Sequence, residues 1–311
     1  MDAATATAAT ALPKGEGPGW GLALAVAALV VAVVAMILAS SEANRRQGRV
    51  RAPARDYYWP NWRQHLIMPY NRWVSWNTEG GDAPFPALET HFPRHRLLGD
   101  AWEAIRDEAM ALYRRGQAGL IRGDDFFTRI ADDGWRRFYL KWYGPLGDDA
   151  RRLCPRTCAL LDQLPEVRLA MFSFLDPGSV IRPHTGPSKG AKRYHLGLAC
   201  PPEAAITVDG TPYSWREGEG VLFDDTYYHE VANRSATEVR AVLFCDVETR
   251  MKTPRAQRAN RWLLDRFGPF TTRTNDATEA RAKEGGRAEG FGGGGLGGAF
   301  ARGWAAPGAG H

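Results

Sequence analysis

The sequence predicts a mainly-β protein, a sandwich or barrel of short strands with supporting helices, preceded by one membrane-spanning helix. From Val167 onward, the apolar runs Leu169 to Leu175, Ala205 to Val208, Val221 to Phe223 and Val239 to Phe244 alternate with turn signals at Asp176-Pro177-Gly178, Asp209-Gly210 and Glu217-Gly218. Short strands with punctuation of this kind mark antiparallel sandwiches and barrels. Helical periodicity is confined to the segments before them, and one long apolar stretch stands near the N-terminus.

That stretch, Gly21 to Ala39, is unbroken by charge. At about 1.5 Å per residue it spans a hydrocarbon core of about 30 Å. It reads as a single-pass anchor, with a cleaved signal peptide ending near Ala39-Ser40-Ser41 as the other reading. Arg45, Arg46, Arg49, Arg51 and Arg55 follow it and only Lys14 precedes it, so the positive-inside rule puts the C-terminal part in the cytoplasm. The alternative is a type II orientation, in which those arginines face a lumen. Between Tyr57 and Trp76, seven Tyr and Trp residues interleave with Arg63, His65 and Arg72, a segment suited either to the membrane boundary or to an arm packed on the barrel.

Trp102, Ile105, Ala109 and Leu112 recur at helical spacing behind Gly99-Asp100, which predicts a supporting helix with Asp100 near its N-cap. Trp135 to Tyr143 alternates bulky and charged residues as a strand does, and Pro155 to Leu164 reads as a short helix opened by proline. After about Thr272 the composition turns to Asn, Thr, Ala, Glu and then Gly, too polar to offset chain entropy. The expected organisation is therefore a free N-terminus over 1–18, an anchor over 19–40, a basic and aromatic juxtamembrane segment over 41–98, the folded domain over 99–272 and a Gly/Ala-rich tail over 273–311.

In a chain of 311 residues this leaves one core of about two hundred residues. A net charge of +5 is modest and largely local, and makes no case for nucleic-acid binding. Cys154, Cys158, Cys200 and Cys245 lack zinc-knuckle spacing and read as buried free thiols, in keeping with a reducing compartment.

The chemistry is concentrated in two strand-edge histidines, His184 in Arg182-Pro183-His184-Thr185-Gly186-Pro187 and His229 in Phe223-Asp224-Asp225-Thr226-Tyr227-Tyr228-His229-Glu230. The wide gap between them suits a barrel, where distant strands become neighbours. Two imidazoles on one face can hold non-haem iron, usually with a carboxylate, but Gly186 stands two residues after His184 where that carboxylate is expected. Arg240, at the head of the apolar run Ala241 to Phe244, needs an anion if it is buried. His65, His91, His95 and His311 lie outside the strand-rich region and read as packing or surface residues.

These residues resemble the aspartyl/asparaginyl β-hydroxylase family over roughly Asp100 to Arg250. The likeness includes Ser173, Pro177-Gly178, His184, Arg193-Tyr194-His195-Leu196-Gly197-Leu198, Phe223-Asp224-Asp225, His229 and Arg240. The resemblance implies a double-stranded β-helix, a jelly-roll-like barrel. It implies a dioxygenase using Fe(II) and 2-oxoglutarate, with His184 and His229 as metal ligands and Ser173, Arg193, His195 and Arg240 around the cosubstrate. Asp224, Asp225 and Asp246 match supporting rather than ligating positions.

The His184-Thr185-Gly186-Pro187 segment is similar to animal peptidyl-aspartate hydroxylases, which also carry Gly in place of the carboxylate ligand. Ile105 to Met110, Trp135 to Tyr143, Val208-Asp209-Gly210 with Tyr213-Ser214-Trp215-Arg216, and Leu243 to Glu248 are similar to bacterial lipid A hydroxylases, which usually carry Asp in place of Gly186. The implied substrate is a peptidyl Asp/Asn side chain or a lipid acyl chain. A silent membrane scaffold, or a 2-oxoglutarate or metal sensor that retains the barrel, is the competing reading.

Overall fold

The strands between these turn signals pair into two antiparallel sheets. A computed structural model describes residues 61–120 and 134–267, with position 31 alone before them. Apart from Val31 the expected anchor lies outside the described residues, as does the tail, and no described helix is long and apolar enough to cross a membrane. The helices are α1 (Asn61–Asn77), α2 (Leu88–His91), α3 (Arg96–Gly99), α4 (Trp102–Arg114), α5 (Asp148–Leu153), α6 (Pro155–Leu161) and α7 (Pro254–Phe267). The strands are β1 (Gly119–Leu120), β2 (Trp135–Trp142), β3 (Val167–Leu175), β4 (Val180–His184), β5 (Ala191–Ala199), β6 (Ala204–Val208), β7 (Thr211–Tyr213), β8 (Gly220–Phe223), β9 (His229–Asn233) and β10 (Arg240–Glu248).

The six-stranded sheet runs β1-β2-β3-β10-β5-β8 and the four-stranded sheet β4-β9-β6-β7. Apart from the β6–β7 hairpin, which stays in the smaller sheet, strands from β3 onward alternate between the two sheets, as in a jelly roll, so the barrel expected from the sequence is the fold. The Asp209-Gly210 turn closes β6 on β7, with both residues at positive φ (49° and 79°) and Val208 opposite Thr211. This is the geometry that Asp-Gly favours in two-residue hairpins.

β3 and β10 are buried on both faces, which explains their continuous apolar runs. On one face Ala170, Phe172, Phe174, Leu243 and Cys245 pack with Ile105, Ala109 and Leu112 of α4 and with Leu161 of α6. On the other, Met171, Leu175, Val242 and Phe244 face Ile181, Ile206, Val208 and Val231 of the smaller sheet. Strand alternation therefore turns Ser173, Arg193, His195 and Arg240 toward the barrel interior.

The expected N-cap at Asp100 is corrected. Asp100 closes α3, its N–H donating to the Arg96 and Leu98 carbonyls, and Ala101 precedes α4 with no side-chain cap. The proline start of α6 is found, and Glu108 of α4 accepts the Arg156 and Thr157 N–H groups, each at 2.9 Å. A buried carboxylate thereby satisfies the exposed end of a neighbouring helix.

The described part of the aromatic N-terminal segment is α1, which packs Val74 against Met251 and Ala256. Tyr70 Oη donates to Asn260 Oδ1 of α7 at 2.6 Å. Asn71 grips the chain just beyond His184: its Nδ2 donates to the Pro187 carbonyl and its Oδ1 accepts the Lys189 N–H, both at 2.9 Å. All four cysteines are free thiols, three of them buried.

Candidate active site

His184 ends β4, His229 begins β9, and the two are cross-strand partners in the smaller sheet. Their ring centroids are 4.1 Å apart. His184 Nδ1 lies 2.7 Å from the Arg182 carbonyl and His229 Nδ1 lies 2.9 Å from the Tyr227 carbonyl. A carbonyl can only accept, so each Nδ1 carries the proton and each Nε2 keeps its lone pair. Burial pushes the His184 imidazole down to about 4 and holds His229 well below the usual range, His184 adding to the latter effect. Two neutral rings with oriented Nε2 atoms are the form in which histidine binds a metal.

Among the described residues no three His, Cys, Asp or Glu side chains come together as a metal-holding group. Gly186 shows why a carboxylate from its own position is missing. Its N–H donates to the Asp225 carbonyl at 2.6 Å, and a Cβ built on it would run into the Asp225 carboxylate. That carboxylate pairs with Arg193 Nη2 at 2.8 Å, and Arg193 Nε bonds Asp246 Oδ1 at 2.9 Å. Tyr143 Oη donates to the second Asp246 oxygen at 2.8 Å, while the Arg193 guanidinium lies over the Phe244 ring. Burial pushes the Asp225 carboxyl up to about 6 against the opposing pull of Arg193.

Arg240 is different. It is 1% exposed, its Nη1 reaches the Ser173 carbonyl and Oγ only at 3.4 and 3.5 Å, and its Nε has no partner. Trp135 Nε1 donates to Ser173 Oγ at 2.9 Å, which fixes that hydroxyl. Burial lowers the Arg240 guanidinium to about 10, where it is still a cation at neutral pH. His195, also buried, has no hydrogen-bond partner on either ring nitrogen and packs among Trp215, Phe223 and Phe244. Burial, with Arg240 and Arg193 adding to it, holds this ring neutral.

The six side chains singled out from the sequence thus meet in one region. Contacts run from Ser173 to Arg240, on through Trp215, His195 and Phe223 to His229 and His184. Arg193 stands apart in having its charge balanced by two aspartates. Metal-competent imidazoles at one end and a buried, under-bonded cation at the other fit a metal chelated by a dicarboxylate whose far end needs an anion site. Sequence reasoning quoted Trp215 only as part of a matching run, with no role in the site, and placed Asp225 no nearer than a supporting position. It also missed Lys189 and Lys192, whose ammonium groups both bond the buried Asp224 carboxylate, at 2.9 and 2.6 Å.

A jelly roll furnished in this way has a place for a metal and, beside it, for a dicarboxylate. The chain matches the profile of the aspartyl/asparaginyl β-hydroxylase family over residues 99–250. It is 36% identical over 187 residues to the ornithine lipid ester-linked acyl 2-hydroxylase of Rhizobium tropici, covering 58% of this chain and 65% of that protein. It is 34% identical over 164 residues to the human aspartyl/asparaginyl β-hydroxylase, covering 51% of this chain and 21% of that one. The chain therefore spans less than two thirds of either relative. The crystal structure of a Pseudomonas putida prolyl-4-hydroxylase aligns at 19% identity with a TM-score of 0.36, covering 52% of this chain and 95% of that one.

Proposed function

We propose that this chain is a membrane-anchored Fe(II)- and 2-oxoglutarate-dependent hydroxylase of a lipid acyl chain, its catalytic domain facing the cytoplasm. The observation that carries the chemistry is the presence, along one barrel interior, of two Nε2 lone pairs left by the Nδ1 hydrogen bonds and of the buried, under-bonded Arg240. His184 and His229 hold the iron. When bound, Fe(II) with 2-oxoglutarate and O2 supplies C–H hydroxylation, one oxygen atom entering the product and the other the succinate released with CO2.

The protein's own part is placement and charge. Arg240, Ser173 and His195 receive the far carboxylate, while Arg193, locked between Asp225 and Asp246, adds to burial in keeping both imidazoles neutral. The apolar walls of Phe223, Phe244 and Val242 exclude water from the region between them.

The lipid substrate is supported by the broader likeness to the Rhizobium acyl hydroxylase and by the apolar segment Gly21 to Ala39. Peptidyl Asp/Asn hydroxylation is the second reading, favoured by His184-Thr185-Gly186-Pro187 and the human relative. The test uses the full chain in lipid nanodiscs with Fe(II), O2 and 2-oxoglutarate, measuring succinate and the mass of added ornithine lipid or Asp-containing peptide. A gain of one oxygen on the acyl chain, coupled to succinate, is expected. Oxygen on the peptide alone supports the second reading, and no succinate with either substrate overturns the hydroxylase assignment.

A further inference from the structure

We propose that Trp215 is a binding residue for the cosubstrate, its indole N–H donating to the far carboxylate beside Arg240. The inference rests on the cosubstrate reading above and adds a residue to it. Trp215 lies in the loop between β7 and β8, in the run Tyr213-Ser214-Trp215-Arg216 that the family likeness included without giving it a role in the site. It is 3% exposed, and its Nε1 is buried with no hydrogen-bond partner.

The neighbours of that ring make the lost hydrogen bond significant. The Arg240 guanidinium lies 5.0 Å from the indole ring, and the His195 ring stacks on it with centroids 5.8 Å apart. Both ring nitrogens of His195 and the Nε of Arg240 are likewise buried and without partners. Folded proteins leave few buried polar atoms unsatisfied. Here four such atoms, on three residues joined through the indole ring, fall in one place. Packing alone would have left an apolar group at each position, because an unmet buried donor costs about 1–3 kcal/mol. One anion with two acceptor oxygens satisfies a guanidinium and an indole together.

The backbone is arranged to deliver this ring. Gly197, two residues beyond His195 on the same face of β5, has a Cβ position occupied by the Arg216 carbonyl. Its N–H donates to the Glu219 carbonyl at 3.1 Å, and its carbonyl accepts from Gly218 at 3.0 Å. The bare glycine lets the 214–219 loop lie directly on the strand and so sets Trp215 over His195.

The test separates the N–H from the ring. Trp215→Phe keeps an aromatic face for Arg240 and removes only the donor. Binding of 2-oxoglutarate is measured by calorimetry on the full chain loaded with Mn(II), a redox-silent stand-in, alongside 2-oxopentanoate, which keeps the 2-oxo acid end but has methyl for the far carboxylate. A charge-assisted hydrogen bond predicts about 10- to 100-fold weaker binding of 2-oxoglutarate, with 2-oxopentanoate affinity held within about twofold; that second ligand also reports that the variant is folded. Unchanged 2-oxoglutarate affinity, or equal losses for both ligands, overturns the role of Trp215 and leaves the cosubstrate reading standing. If the unsubstituted protein does not prefer 2-oxoglutarate to 2-oxopentanoate, the cosubstrate reading falls and this inference with it.

Discussion

Asp225 occupies the space that a side chain at Gly186 would need. The two are also joined through the backbone, the Gly186 N–H donating to the Asp225 carbonyl at 2.6 Å. A carboxylate has therefore not vanished from this corner of the barrel; it arrives from the opposite strand connection and is tied to Arg193 at 2.8 Å. Restoring an aspartate by Gly186→Asp should crowd that carboxylate and set like charges against each other, costing about 1–3 kcal/mol, as overpacking does. Adding Asp225→Ala should recover part of the loss, a coupling visible in urea melts of the two single variants and the double. Strictly additive losses would show that the two positions do not compete.

His229→Ala removes one of two oriented Nε2 atoms from the pair. Loss of stoichiometric Fe(II) binding, with succinate production at background, is the expected outcome. Calorimetry with Mn(II) measures the first independently of turnover. Full metal binding by this variant would remove His229 from the site.

Arg240→Lys retains a cation while losing the planar fork, and Arg240→Ala loses both. The half-saturating 2-oxoglutarate concentration should rise at least about tenfold in the lysine variant and further in the alanine variant, consistent with charge-assisted bonds of about 1.5–3 kcal/mol. Iron affinity in the absence of cosubstrate should be unchanged. An unaltered 2-oxoglutarate requirement would detach Arg240 from this role.

Asp224 is a structural counterpart to these site residues. Burial alone would raise its carboxyl, but Lys192 and Lys189 overcome that and hold it well below the usual carboxylate range. Its depressed value means that its contribution to stability is full above the unfolded value, about 4, and drains away as pH falls toward the folded one. Asp224→Asn should cost about 3–5 kcal/mol near neutrality, the usual penalty for breaking a buried ion pair, with Lys192 losing its carboxylate while Lys189 keeps Asp82 at 3.0 Å. It should also flatten the acid limb of a stability-versus-pH curve. A variant with the parent's slope below pH 4 would contradict this account.

The strand assignments were legible because β3 and β8 are short apolar runs bounded by Gly, Pro and Asp, and local chemistry suffices to mark them. His184 and His229 stood out because the motifs around them are distinctive. The N-cap at Asp100 failed because a four-residue helix, too short to show periodicity, claims that residue as its own end. Trp215 was given no role in the site since nothing in the matching run Tyr213-Ser214-Trp215-Arg216 distinguishes a core indole from one whose N–H lacks a partner. The state of Arg193 depends on Asp225 and Asp246, which only the sheet brings beside it. Such facts belong to tertiary structure, where sequence spacing carries no information.

Asn71 sits on a helix outside the barrel, yet one amide clasps the peptide at Pro187 and Lys189, immediately after the strand that ends in His184. Anyone trimming this protein to a soluble catalytic core is thus given a boundary: the cut belongs ahead of Asn61, not at the first barrel strand. A shorter fragment would keep every residue of the barrel and lose the brace that steadies one of its two imidazoles.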